Sequence, residues 1–453
     1  IMGLPTTGSS VEFRLFDQHG EEVASQVTEA KPEAPKDGID RGVDEIADAE
    51  VLWRIPRAEA GFYRLTAAIV GRQKSLLTTE TTFAVIDDFI GGPPHGSFGW
   101  TLPNGSGAMT PRDLSTWLSK LGVAWVKYPC WLAPDDTRGA EVTATIFRKL
   151  QDEGIQTVGL LDHPPADQVA SYALRGPTEL NAEQLFRDAQ IWQPLLEPVM
   201  SRLTLKVRTW QLGADRDHSF LGRPRLQESI RKISSGLQGF GQPIDVAISW
   251  PWLEPELPNG ESSWQAICRS SDPPLGANEL DAFLSLRQQN TRSEVARTWL
   301  LLDAVPESKY DRDARIRDLV LRMATVRGHR VQAAFVSSPR DPETGLLRSN
   351  GRPGELLLPW RTTSRLIGNL RKVGSLQLRS GAENSVFAGS DRAVLMLWSA
   401  KPTEELIYLG EHIQSVNVWG KVTSLPVETN GNQPFQRVKI GPMPTFIIGA
   451  DPK

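Results

Sequence analysis

Cysteine is scarce in this sequence. Cys130 and Cys268 are the only two among 453 residues, too few for a disulfide framework. They could pair with each other or lie as two buried thiols. No C-x-x-C and no Cys/His cluster with zinc spacing occurs, so the usual structural zinc sites are excluded. An excess of basic charge is also missing. The formal net charge is -4 and the sequence pI is near 6.0, with Lys and Arg scattered. Nothing forms a stripe that could neutralise phosphates, so nucleic acid is not an expected partner. No apolar run approaches the roughly 20 residues that span a bilayer, and no membrane span is expected. The first residues, IMGLPTTGSS, have no initiator Met at position 1 and neither the charged nor the apolar region of a signal peptide. They read as the start of a processed product or an excised fragment.

Tryptophan, by contrast, is plentiful. Fourteen are present, and such a large ring is used either in a core or against a flat ligand. The 33 prolines and 38 glycines suit a loop-rich chain of more than one domain.

Residues 11 to 87 read as all-β. VEFRLFD, EVLWRIP, GFYRLTAAIV and LLTTETTFAVID are rich in β-branched and aromatic residues. The acidic stretch TEAKPEAPKDGIDRGVDEIAD reads as a long surface loop between the first two. The Gly/Pro stretch DDFIGGPPHG, 87 to 96, then reads as a linker, and the pattern changes. FGWTL is a strand, and MTPRDLSTWLSKLG a helix with Thr110 as N-cap, Pro111 at its first position and Gly122 as its stop. Apolar strands and amphipathic helices then alternate: VAWVKYP, IQTVGLL, LKVRTWQLG, PIDVAISW, LDAFLSL at 280 to 286, RTWLLLDAV and VQAAFVSS. Eight near-continuous apolar strands with intervening helices predict a closed (β/α)₈ barrel. The sixth repeat is irregular, because only RQQNTRSEVA separates LDAFLSL from RTWLLLDAV. From about residue 373, SLQLRS, NSVFAGS, AVLMLWS, EELIYLG, SVNVWG, QRVKI and TFIIGA predict a C-terminal β-sandwich. The expected domains are an N-terminal sandwich at 1–88, incomplete if strands precede residue 1, the barrel at 89–372, and a second sandwich at 373–453.

Barrel chemistry lies at the C-terminal ends of the strands. The second strand ends in Lys127 and Tyr128, with Trp131 beyond. The third ends in Asp162-His163, and the fourth leads to Asp215, Asp217 and His218. The fifth ends in Trp250-Pro-Trp252-Leu-Glu254, the seventh in Asp303 with Glu307 following, and Asp341 follows the eighth. Carboxylates and rings converging on one rim suit sugar handling. Trp131, Trp250 and Trp252 are the candidate stacking faces; Trp100, Trp125 and Trp210 alternate within strands and read as core. Asp162-His163 and Asp217-His218 are metal-ligand types, but the first strand carries no H-x-H, so neither a metal nor another cofactor is expected.

The order sandwich, barrel, sandwich resembles the clan of barrel glycoside hydrolases with an acid/base after strand four and a nucleophile on strand seven. AVLMLWSAKPTEELIYLG, VNVWGKVTSLPV and IGPMPTFIIG resemble the terminal sandwich of its xylosidase- and iduronidase-like members, and also the barrel proteins of planctomycete-type bacteria. The resemblance implies Asp215, in WQLGAD, as general acid and Asp303, in WLLLDAVPE, as base or nucleophile. Lys127, Trp131, Asp162, His163, Asp217, His218, Trp250 and Trp252 would then bind substrate. It implies a carbohydrate partner and a location outside the cell, in the periplasm or on the cell surface. Three departures stand out. Both family Glu positions are Asp, and the Asn that would precede the acid is Ala214. Retaining glycosidases hold their carboxyls about 5 to 5.5 Å apart and inverting ones about 6.5 to 9.5 Å. Two shortened side chains widen the gap by up to about 3 Å, from the first range into the second. Two readings follow: a glycoside hydrolase using two carboxylates, or a non-catalytic carbohydrate-binding or structural protein on a silenced barrel.

Overall fold

Eight parallel strands close into a barrel in the computed structural model, which describes residues 10–29, 31–32, 49–56, 58–70, 75–87, 95–172, 180–254, 262–290, 296–431 and 433–450. In chain order the barrel strands are Phe98–Thr101, Trp125–Pro129, Gln156–Leu161, Thr209–Leu212, Asp245–Pro251, Ala266–Ser270, Arg297–Leu301 and Ala333–Val336. The eighth pairs with the first, Ala334 opposite Phe98, which closes the ring. Helices cover the outside because almost every barrel strand residue is buried. The first helix, Pro111–Lys120, begins as its sequence predicts. The Thr110 side chain accepts from the Asp113 amide, and Pro111 occupies the first turn. Gly122 ends it at φ +77°, a conformation that favours glycine.

The sixth strand is not LDAFLSL. Residues 280 to 286 lie in the helix Ala277–Asn290, with Leu280 and Leu284 buried on one face, one helical turn apart. The strand is Ala266–Ser270, AICRS. Its five residues are all buried, but Arg269 and Ser270 break the apolar run that marks a barrel strand in sequence. Ala277–Asn290 is therefore the crossover helix that the sixth repeat otherwise lacked.

The N-terminal sheet is antiparallel in the order Glu22–Glu29, Ser10–Phe16, Gly61–Val70, Ser75–Val85. Its second strand is EVASQVTE rather than EVLWRIP. Of the latter segment only Glu50 is in a strand, Ala49–Glu50, and Trp53 instead stacks on Phe13 at 5.5 Å. Most of the acidic loop, and residues 88–94 of the Gly/Pro stretch, fall outside the described residues.

The C-terminal β domain opens at Arg371–Gly374, so SLQLRS lies just past its first strand rather than forming it. A six-stranded sheet and a three-stranded sheet follow. Along Ala393–Trp398, Leu395 and Leu397 face Val438 and Ile440 of the smaller sheet, while Val394 and Met396 join the core of the barrel. This period-two split makes the domain a sandwich and fastens it to the barrel. The whole is a (β/α)₈ barrel flanked by N- and C-terminal β domains.

Candidate functional site

The floor of the barrel interior is aromatic. Trp125, Trp299 and Phe335 meet at ring separations of 5.6 to 6.4 Å, packed with Val158, Ala247, Ala266 and Ala333. Glycine at 99 makes room for Trp125, because a Cβ there would lie 2.5 Å from the Trp125 Cβ.

Lys127 stands on this floor. Its side chain is 0% exposed, and its ammonium lies 4.2 Å from the Phe335 ring centroid and 5.5 Å from that of Trp299. It donates to the Asp215 carboxylate and to Cys268 Sγ at 3.2 Å. Asp215 is 6% exposed. Its Oδ2 accepts from Thr101 Oγ1 at 2.5 Å, and its Oδ1 from Gln211 Nε2 at 3.1 Å. Strands one, two and four thus converge on one carboxylate and leave neither oxygen free. Burial alone would pull the Lys127 ammonium down, yet Asp215 and Cys268 together hold it above the usual lysine value. Burial pushes the Cys268 thiol up to about 12. Cys130 is buried too, and neither cysteine forms a disulfide.

Asp303 is clamped separately. It is 2% exposed, Oδ1 accepts from the Ser337 amide at 2.7 Å, and Oδ2 accepts from Ser337 Oγ at 2.8 Å and Arg216 Nη2 at 2.9 Å. Its backbone carbonyl accepts from buried Arg322 at 2.9 Å. Arg216 reaches across the mouth from the loop after strand four and also lies 3.7 Å from Asp272. Burial opposes its charge, but the Asp303 hydrogen bond and charge raise its pKa. The cavity beside Asp303, lined by Arg216, Trp252, Leu301 and Arg322, holds about 10 Å³, one water at most.

The remaining rim residues divide by role. Asp217 accepts from the Ala182 amide at 2.5 Å and the Ser219 amide at 2.9 Å, so it anchors the start of the short helix Ala182–Leu185. His218 lies 2.8 Å from Ser270 Oγ, and burial lowers its pKa. Buried Asp162 lies 2.9 Å from Nδ1 of His163, whose side chain is mostly exposed. Glu307 pairs with Arg315, and Asp341 accepts from the amides of Glu343 and Thr344 in its own loop. Arg223, a candidate partner of Asp215 by sequence proximity, pairs with Glu183 instead.

The expected aromatic platforms are core. Trp131, Trp250 and Trp252 are all nearly fully buried. Trp131 donates to Gln168 and packs on Phe186. Trp250 stacks on Trp264, and Trp252 meets Phe283 of the helix Ala277–Asn290 at 4.6 Å. Both rings are enclosed by these neighbours, so neither presents an open face to a sugar. Thr101, Gln211, Cys268, Arg216 and Ser337 complete the two carboxylate sites without a sequence motif. Their signal was weak: a polar residue at an inward position of an apolar strand, or just past its end. Among the described residues no three His, Cys, Asp or Glu side chains gather as a metal site would require. Among the described residues no helix is long and apolar enough to cross a membrane.

Solved structures share this architecture. A family 39 glycoside hydrolase from the gut symbiont Bacteroides cellulosilyticus WH2 superposes with a TM-score of 0.64 at 12% identity, covering 99% of this chain and 95% of that one. A family 30 endoxylanase from Clostridium papyrosolvens C71 gives 0.55 at 11% identity, covering 80% and 98%. A family 30 subfamily 8 xylanase from Clostridium acetobutylicum gives 0.52 at 12%, covering 78% and 96%. At these identities the likeness is one of fold. No protein-family model matches the chain. No curated protein matches it either.

Proposed function

We propose that this chain is a non-hydrolytic, carbohydrate-binding protein built on a glycosidase-type barrel. The observation that carries the reading is the enclosure of Asp215 by Lys127. A general acid must hold a proton and present it to a leaving group. Asp215 instead lies 6% exposed against Lys127, Thr101 and Gln211, so its carboxyl is held inside the barrel rather than presented to a leaving group. The carboxylate is also shielded, with both oxygens occupied. Asp303 is similarly engaged, by Arg216 and by both donors of Ser337. Ala214, where the resembled clan has Asn, removes the contact to a sugar hydroxyl. Carbohydrate as the ligand class comes from the clan resemblance and from the polysaccharide-degrading neighbours in fold. The same reading divides the chain after residue 88 and at Arg371, where the first strand of the C-terminal domain begins two residues before the expected 373, and sets it outside the cytoplasm.

The test uses a panel of soluble and insoluble plant and bacterial polysaccharides, scored for retention of the protein and for release of reducing ends. Retention without release is expected. Hydrolysis that Asp215→Asn abolishes would overturn the proposal and restore the two-carboxylate mechanism.

A further inference from the structure

A surface groove runs between the barrel and the C-terminal sandwich, and neither Asp215 nor Asp303 lines it. One part, of about 640 Å³, lies among the helices Ala277–Asn290 and Arg312–Gly328 and the strands Arg371–Gly374, Glu383–Ala388 and Ala393–Trp398. Asn278, Arg317, Thr325, Lys372, Glu383 and Trp398 contribute to its walls. A second part, of about 800 Å³, continues past the start of Arg312–Gly328 to Glu355 and Met443. The two parts share Arg317 and Pro442. Together they follow that helix from Asp311 to Thr325, about 20 Å at 1.5 Å per residue.

Arg317 differs from the other arginines of its helix. Arg312, Arg315, Arg322 and Arg327 are all held by carboxylates, carbonyls or a hydroxyl. Arg317 is exposed and has no ion pair or hydrogen bond among the described residues. Lys372, on the sandwich side, is likewise exposed and unpaired among the described residues. Glu383 and Asp281, the latter paired with His329, stand in the walls of the first part, and Asp311, Asp313 and Glu355 outnumber Arg312 in the second. Trp398 is only part-buried, sits opposite Glu383 across two strands, and makes no indole hydrogen bond among the described residues.

We propose that this groove, rather than the barrel mouth, binds an extended neutral polysaccharide chain, with Trp398 as the stacking face and Arg317 as the central hydrogen-bond donor. Its length suits a polymer rather than a single small ligand. A part-exposed indole beside amide, hydroxyl, carboxylate and guanidinium groups offers one flat apolar surface and many donors and acceptors, which a sugar ring requires. Carboxylates outnumber cations along the groove walls, which selects a neutral chain over an acidic one. The proposal rests on the carbohydrate reading above but assigns it to a different surface.

The experiment titrates the full chain with soluble neutral hexasaccharides, β-linked xylo-, cello- and manno-series, by calorimetry. Parent, Trp398→Ala, Trp398→Phe and Arg317→Ala are compared. We expect Trp398→Ala and Arg317→Ala each to weaken binding by about tenfold or more. Trp398→Phe should retain most of the affinity. Arg317 is exposed, so its variant reports even if Trp398→Ala fails to fold. Binding that both groove variants leave intact overturns the groove and leaves the carbohydrate reading standing. A parent that binds neither these hexasaccharides nor any polysaccharide of the panel overturns both.

Discussion

Lys127 and Asp215 form an ion pair inside the barrel, with side-chain exposures of 0% and 6%. The lysine comes from the second strand and the aspartate from beyond the fourth, so the pair bridges the barrel's interior. Aromatic rings lie beneath the ammonium, and Thr101 and Gln211 complete the carboxylate's hydrogen bonds. The carboxylate just past the fourth strand is thus an internally compensated charge.

Removing one partner should harm stability more than removing both. Lys127→Met alone leaves a buried carboxylate without its cation and is expected to cost about 3–5 kcal/mol in denaturant unfolding. The double variant Lys127→Met/Asp215→Leu should recover most of that loss. A double variant as unstable as the sum of its singles would mean the pair is not internally compensated.

Cys268 should be chemically silent in the folded protein. Burial pushes its thiol up to about 12 and pushes that of Cys130 upward as well. Ellman's reagent at neutral pH should find no reactive thiol in the native protein and two after unfolding, matching the two cysteines of the sequence. Rapid native labelling of one cysteine would contradict the closed barrel interior.

Gly99→Ala tests the aromatic floor. The added methyl would lie 2.5 Å from the Trp125 Cβ and backbone oxygen and 3.0 Å from Phe335. The expected loss is about 1–3 kcal/mol, accompanied by a change in tryptophan fluorescence as Trp125 shifts. Unchanged stability would mean that Trp125 is packed more loosely than its neighbours suggest.

Glu355 makes a pH-dependent contribution. Burial raises its pKa above the usual glutamate value of 4.5. The folded chain therefore binds more protons at this site than the unfolded chain, and stability falls as pH rises from near 4.5 through the raised value. Glu355→Gln should stabilise the protein at neutral pH by less than about 1 kcal/mol, since the group is partly solvated. Below about pH 4, where both states are protonated, it should have little effect. An equal gain at both pH values would point to packing rather than charge.

Much of the architecture is written in local patterns. Seven barrel strands are readable because strands buried on both faces must be almost wholly apolar, and the helix after Thr110 is readable because its cap, proline and stop act over a few residues. AICRS escaped because Arg269 interrupts its apolar run, and LDAFLSL misled because a short apolar segment has no period long enough to separate strand from helix. EVLWRIP alternates like a strand, but past Glu50 it leaves strand structure and its Trp53 stacks on Phe13.

The sequence alone places Asp215 and Asp303 after strands four and seven, since rim position follows from strand order. What surrounds them could be decided only in three dimensions. Lys127 is 88 residues from Asp215, and Ser337 is 34 from Asp303; no local spacing encodes those meetings. The direction of Trp250 and Trp252 was equally out of reach. A tryptophan beyond a strand can turn to the mouth or to the helix layer with the same local sequence, and Trp264 and Phe283, supplied by neighbouring segments, settled the choice. The barrel follows from periodicity, which is local; the closing of its site follows from side chains that only the closed sheet brings together.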